Sequence, residues 1–290
     1  MPHAFYFKST SRKWDALNFF NVVFIGAIIL AGCFYFAFFA HGQITTPTPD
    51  CIFCEGRYQY HLQGIATDNR SIYWSFTTEL VKTDMLGSLS VSTSVANHHG
   101  DITLKDGQVY ATVNFGGWHS ETPADNWCYV YDSTDFTFLT KYSTPEVIYG
   151  IGAIGYDGNI FMVGGGLQTE ADDNIVYEYH GTDFNFITTH ELHSDYIDGG
   201  IQTMAYGDGW WWYGCYGSEL FMGDKYFQSV RSYAVSASTG WDRLTDGTYL
   251  RGYSAQTDGG WFGRVQYMDW NPPPTPAPSP ILFLSETPTP

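Results

Sequence analysis

A short turn signal recurs along the middle of the chain: Asp106-Gly107, Asp157-Gly158, Asp208-Gly209 and Asp246-Gly247. Each stands before an aromatic or aliphatic run, "QVYATVN", "NIFMVGG", "WWWYGCYG" and "TYLRGYS" in turn. Asp-Gly favours the type I′ turn that joins two antiparallel strands, since both central residues need positive φ. Asn69-Arg70 holds the same place before "SIYWSFTT". A second motif lies further out, "YDSTDFTFLT" from Tyr131 and "YHGTDFNFIT" from Tyr179. Units of roughly 36 to 52 residues with about four short strands each are what propeller blades look like. Five such units fit, over 57–95, 96–145, 146–195, 196–236 and 237–270. No long amphipathic helical pattern follows residue 42. The expected fold is therefore all-β, a five-bladed β-propeller. A strand near Tyr58-Gln59-Tyr60 would complete the last blade and close the ring, which removes exposed sheet edges.

Composition agrees. Hydrophobic residues make up 44% and aromatics 18% of the 290 residues, enough for a large core. Gly and Tyr are abundant, as tight turns and strands require. The net charge of −17, with no Lys/Arg cluster beyond the N-terminus, excludes nucleic acid as a partner.

The stretch "NFFNVVFIGAIILAGCFYFAFFA", residues 18–40, carries no charge. It is long enough to cross a bilayer as a helix, which takes about 20 apolar residues. Lys8, Arg12 and Lys13 precede it and place residues 1–17 in the cytoplasm. Residues 43–290 hold 10 Lys/Arg and 29 Asp/Glu, a balance of −19 that fits export. The leading reading is an uncleaved signal anchor in a bacterial inner membrane, single-pass, with the propeller in the periplasm or outside the cell. Two others stay open: cleavage after Ala40-His41-Gly42, and lipidation at Cys33, because Leu30-Ala31-Gly32-Cys33 has the form of a lipobox. Residues 41–56 form a Pro/Thr-rich spacer, and 271–290 a Pro-rich extended tail. Within the tail, Ile281, Leu282, Phe283 and Leu284 are an apolar tetrad suited either to tuck on the domain or to dock on a partner.

The segments "YHLQGIATDNRSIYWSFTTELVKTD", "NHHGDITLKDGQVYATVN", "CYVYD" and "WWWYGCYG" resemble a group of exported bacterial propeller proteins of uncharacterised activity. The likeness covers most of 57–265. It implies the fold and carries no catalytic residues across. A fainter similarity is to plant-type glutaminyl cyclases, five-bladed propellers whose blades begin with a Gln-Gly pair, as Gln63-Gly64 does here.

In a propeller the first strand of each blade lines the central channel. Here those strands would begin at His61, His98, Tyr149, Gly200 and Thr239. His61, Gln63, His98, His99, Asp101 and Gln202 then converge on one mouth, with Asp242 at its edge. Alternation points only one of His98 and His99 inward. Imidazole with carboxylate suits a divalent metal or a small ligand; a hydrogen-bonded plug of the channel is the structural alternative. No other cofactor is expected. Cys51 and Cys54, in an oxidising compartment, suggest a local disulfide. Cys128 and Cys215 read as buried thiols. Glu170, Asp172 and Asp173 form an acidic loop, and Trp210-Trp211-Trp212 could present rings to a sugar or partner, or cover a blade face.

Two functions remain open. One is a non-catalytic, membrane-anchored accessory or scaffold subunit, whose partners are the bilayer and the other subunits of an integral membrane complex, such as a photosynthetic or respiratory assembly. The other is an anchored exoenzyme, or a carbohydrate- or metal-binding propeller, working at the channel mouth.

Overall fold

The computed structural model describes residues 51–119, 124–166, 173–194, 197–225, 227 and 230–270. The expected membrane span 18–40, Cys33 and the tail tetrad Ile281–Leu284 lie outside them. Among the described residues no helix is long and apolar enough to cross a membrane.

Among the described residues, five four-stranded antiparallel sheets form the blades. Blade 1 is β2 (Leu62–Thr67), β3 (Ser71–Phe76), β4 (Glu79–Asp84) and β5 (Leu89–Ser94). Blade 2 is β6 (His99–Lys105), β7 (Gln108–Asn114), β8 (Asn126–Asp132) and β9 (Phe138–Ser143). Blade 3 is β10 (Ile151–Tyr156), β11 (Ile160–Gly165), β12 (Ile175–His180) and β13 (Phe186–Glu191). Blade 4 is β14 (Ile201–Gly207), β15 (Trp210–Cys215), β16 (Glu219–Asp224) and β17 (Val230–Ala234). Blade 5 is β18 (Trp241–Arg243), β19 (Tyr249–Thr257) and β20 (Gly260–Met268), completed by β1 (Cys51–Phe53).

The ring therefore closes by joining the two ends of the described chain, as expected, but through a different strand. Cys51, Ile52 and Phe53 pair with Gln266, Val265 and Arg264. Tyr58 makes only an isolated bridge to Trp261. The expected Cys51–Cys54 disulfide is absent, and both are free thiols. They stand three apart on extended backbone, so their side chains leave opposite faces. Cys54 Sγ instead lies 3.2 Å from Tyr58 Oη, and burial pushes its thiol up to about 12.

Side chains of successive residues leave opposite faces of a strand, so each blade feeds two seams. In β15, Trp211, Tyr213 and Cys215 pack toward blade 3, and Trp210 and Trp212 toward blade 5. All three tryptophans are fully buried, so none offers a ring at the surface. Ile52 joins Leu62, Trp74 and Val81 across the closing seam. The core is thus a set of apolar clusters between blades.

The turns follow the sequence with one shift of register. Asp106-Gly107 and Asp208-Gly209 both have positive φ at each residue, as type I′ demands. At Asp157-Gly158 only the glycine does, at φ 101°. In blade 1 the equivalent of Gly158 is Asn69, at φ 67°, so the matching pair is Asp68-Asn69 and not Asn69-Arg70. Asn is among the few non-glycine residues that tolerate this region. The second motif turns about Phe136 and Phe184, at φ 60° and 58°. Both rings are buried between blades, and Phe184 stacks on Tyr142 and Tyr179 at 5.0 and 4.8 Å.

Candidate functional site

The innermost strands of blades 1–4 share one irregularity. Register shifts fall between Leu62 and Gly64, His99 and Ile102, Ile151 and Ala153, and Ile201 and Thr203. A bulge re-aims the side chain it carries. Here it carries Gln63, Asp101 and Gln202, three of the six expected mouth residues; in blade 3 the place belongs to Gly152.

The structure separates those six. Asp101 lies deep on the axis and is buried. Its Oδ2 accepts the N–H of Met204 at 2.7 Å and of Ile154 at 3.4 Å, so one carboxylate ties the inner strands of blades 2, 3 and 4. Burial holds it well above the usual carboxylate range, against the pull of those N–H groups. The close approach needs Gly64, where a Cβ would stand 2.1 Å from Asp101 Oδ1.

His99 turns away from the mouth. Its Nδ1–H donates to Ala96 O at 2.6 Å, and its Nε2 accepts from Tyr131 O–H at 2.8 Å. Both nitrogens are used, and burial lowers the imidazole to about 4. His98 is the inward member of the pair. Its Nε2 accepts from the Gln63 amide at 3.0 Å, while that amide also donates to Thr77 Oγ1 at 3.1 Å. Burial, with His61 nearby, lowers His98. His61 lies against Trp261, with ring centroids 5.4 Å apart.

Beside these residues opens a cleft of about 720 Å³. His98 and Gln202 reach it; the rest of its wall comes from connections that reasoning on first strands passes over. Asn114, Phe115, Trp118 and His119 come from the end of β7 and the connection after it. Asp198 and Gly199 precede β14, and Tyr216 follows β15. All these connections lie at the pole where the innermost strands begin. The available signal was loop length: only Thr77 and Thr78 separate β3 from β4, whereas residues 115–125 separate β7 from β8.

Trp118 spans blade 3. Its O accepts Gly150 N–H and its Nε1–H donates to Gly199 O, both at 3.0 Å. The indole lies flat on the entry of β10, where a Cβ at Gly150 or Gly152 would come within 2.4 or 2.6 Å of it. Gly199, at φ 83°, likewise leaves room for Tyr216. Phe115 and Tyr216 are 43% and 49% exposed.

Among the described residues, a group able to hold a cation lies elsewhere. One ligand atom from each of Asp173, Glu191 and His193 falls within 4.8 Å of the others. Glu170 and Asp172 of the same acidic loop lie outside the described residues. At the mouth itself, His99 and Asp101 point apart and no such group forms among the described residues.

No family model matches this chain, and no curated protein does. Solved structures match in fold. The glutaminyl cyclase of Myxococcus xanthus is 9% identical with a TM-score of 0.52, over 76% of this chain and 97% of that one. The designed protein Ika4 is 13% identical with a TM-score of 0.38, over 63% and 96%. The first likeness supports the five-bladed propeller; at that identity it shows the fold alone.

Proposed function

We propose that this chain is a non-catalytic binding propeller, exported and held at a bacterial inner membrane by residues 18–40, and that it works through the mouth cleft. One observation carries this reading. His99 and Asp101, two of the groups that would serve an acid, base or metal ligand, are engaged by the fold itself, and His98 Nε2 is taken by Gln63, while two half-exposed rings and two amides help wall an open volume beside them. Such a wall suits recognition of a small molecule: a few placed polar groups among apolar ones.

The test is native mass spectrometry of the full chain, extracted gently from its own membrane. A small molecule retained by the wild type and lost on Phe115→Ala and Tyr216→Ala supports the reading. A turnover activity that fails in His98→Ala and survives those two changes sinks it.

A second reading, as an accessory subunit of a larger membrane complex, draws on the opposite pole. There the fourth strands begin, and they expose Leu89, Phe138, Leu139, Phe186 and Ile187, with Leu86 in the turn before β5. The chain enters β1 at that same pole. Exposed apolar residues grouped in this way are a common mark of an interface. Stoichiometric co-migration with a membrane complex that survives high salt supports this reading, and a lone species of 32.7 kDa plus detergent removes it.

A further inference from the structure

We infer that the ligand of the mouth cleft is a neutral sugar ring, held with its C–H faces on Phe115 and Tyr216 and its hydroxyls toward Asn114 and Gln202. The inference rests on the cleft being a binding site. Among the described residues the wall holds no lysine or arginine, so a phosphate or carboxylate would meet no permanent cation there. That removes nucleotides, sugar phosphates and amino-acid carboxylates as classes.

Two neutral or cationic classes remain. A quaternary cation needs ring faces and acceptors only. This wall also offers amide donors, from Asn114 and Gln202. Both are partly used: Asn114 Oδ1 accepts Gly116 N–H, which leaves its Nδ2–H to donate, and Gln202 Nε2–H donates to Gly199 O, which leaves its carbonyl oxygen to accept. Donors and acceptors mixed beside ring faces match hydroxyls, which do both, set around an apolar C–H face.

Part of the wall is also fixed before any ligand arrives. Trp118 is tied to Gly150 and Gly199, and Tyr216 seats against Gly199. Rigid rings lose little conformational entropy on binding, which is what a weakly interacting ligand such as a neutral sugar requires.

The test uses the full chain in a detergent without a sugar headgroup. Saturation-transfer NMR and calorimetry are run with glucose, galactose, mannose, N-acetylglucosamine and their β-linked dimers, with choline and inorganic phosphate as contrasts. At least one sugar is expected to bind. Phe115→Ala and Tyr216→Ala should each weaken it about tenfold, the equivalent of one lost stacking contact. Leu139→Ala, at the far pole, should leave it unchanged. Because both rings are half exposed, their removal should leave the fold intact, which a thermal scan checks.

Choline binding through the same two rings, with no sugar bound, overturns the sugar inference and keeps the cleft as a site. No probe binding also overturns it, and the fate of the cleft reading is then decided by the native mass spectrum. Sugar binding that Leu139→Ala removes, and the ring variants do not, overturns both.

Discussion

His98 and His99 illustrate how far one residue's neighbourhood can be read from sequence. Strand alternation allows only one of them inward, and His98 is the one that lines the cleft. Which one, and what the other does, depended on Tyr131 of β8, thirty-two positions away, and no local pattern carries that contact. Because His99 is buried neutral, it has a pH consequence. Its folded value of about 4 lies below the ordinary 6.5. The unfolded chain therefore takes the proton first, so the contribution of His99 is intact above pH 6.5 and is lost as pH falls toward 4. The loss is about 3 kcal/mol, at 1.36 kcal/mol per unit. Asp101, which burial raises, and Asp242, which burial raises to about 7, act in the opposite direction, so the comparison must be differential. The stability advantage of wild type over His99→Phe should shrink by about 3 kcal/mol between pH 7 and pH 4 in urea titrations; a constant advantage means His99 is not buried neutral. Gly152→Ala probes the other side of the mouth. Its methyl would meet the Trp118 indole at 2.6 Å and Ile201 O at 3.0 Å. A cost of about 1–3 kcal/mol is expected, together with a shift of tryptophan emission to the red as the indole lifts from β10. Unchanged emission would place Trp118 elsewhere.

At the scale of elements, the sequence was most legible where backbone geometry restricts residue choice. The Asp-Gly turns and the Thr-Asp-Phe turns both mark real hairpins, because positive φ leaves few residues eligible. Asn69 was set one place out of register because a single Asn carries less information than an Asp-Gly pair. The closing strand was missed for a physical reason as well. Only three residues long, it follows a Pro/Thr-rich run, and its stability comes from β20 and the seam beneath it rather than from its own propensity. Ile52 is 2% exposed and packs on the seam between blades 5 and 1. Ile52→Ala should therefore cost about 2–4 kcal/mol, far more than Phe53→Ala on the exposed face of the same strand. Equal effects, read from urea midpoints, would mean that β1 does not close the ring.

For the whole molecule, the strongly acidic balance has a local origin that composition alone hides. Asp68, Asp84, Asp132, Asp135, Asp157, Asp183 and Asp246 each accept a backbone N–H two residues on through Oδ1. This is the bond by which Asp initiates a turn. All seven sit in turns at the pole opposite the mouth, so blade repetition multiplies one piece of turn chemistry into an acidic face. The backbone N–H of Thr137 and of Thr248 hold Asp135 and Asp246 below the ordinary carboxylate value. Their contribution is thus present above pH 3.8 and fades as pH falls through the lowered values. If acidity is a by-product of turns, the acceptor oxygen matters and the charge does not. Replacing all seven by Asn keeps the oxygen and moves the net charge from −17 to −10. The thermal midpoint at neutral pH should then move by less than about 5 °C, whereas seven alanines should lower it by about 10 °C or more. A loss as large in the Asn variant as in the Ala variant would show that charge itself holds the turns. The same Asn variant separates the two functional readings. It leaves the cleft untouched, so ligand retention at the mouth should persist; if a membrane partner binds the acidic pole, co-migration with it should fail while the fold stands.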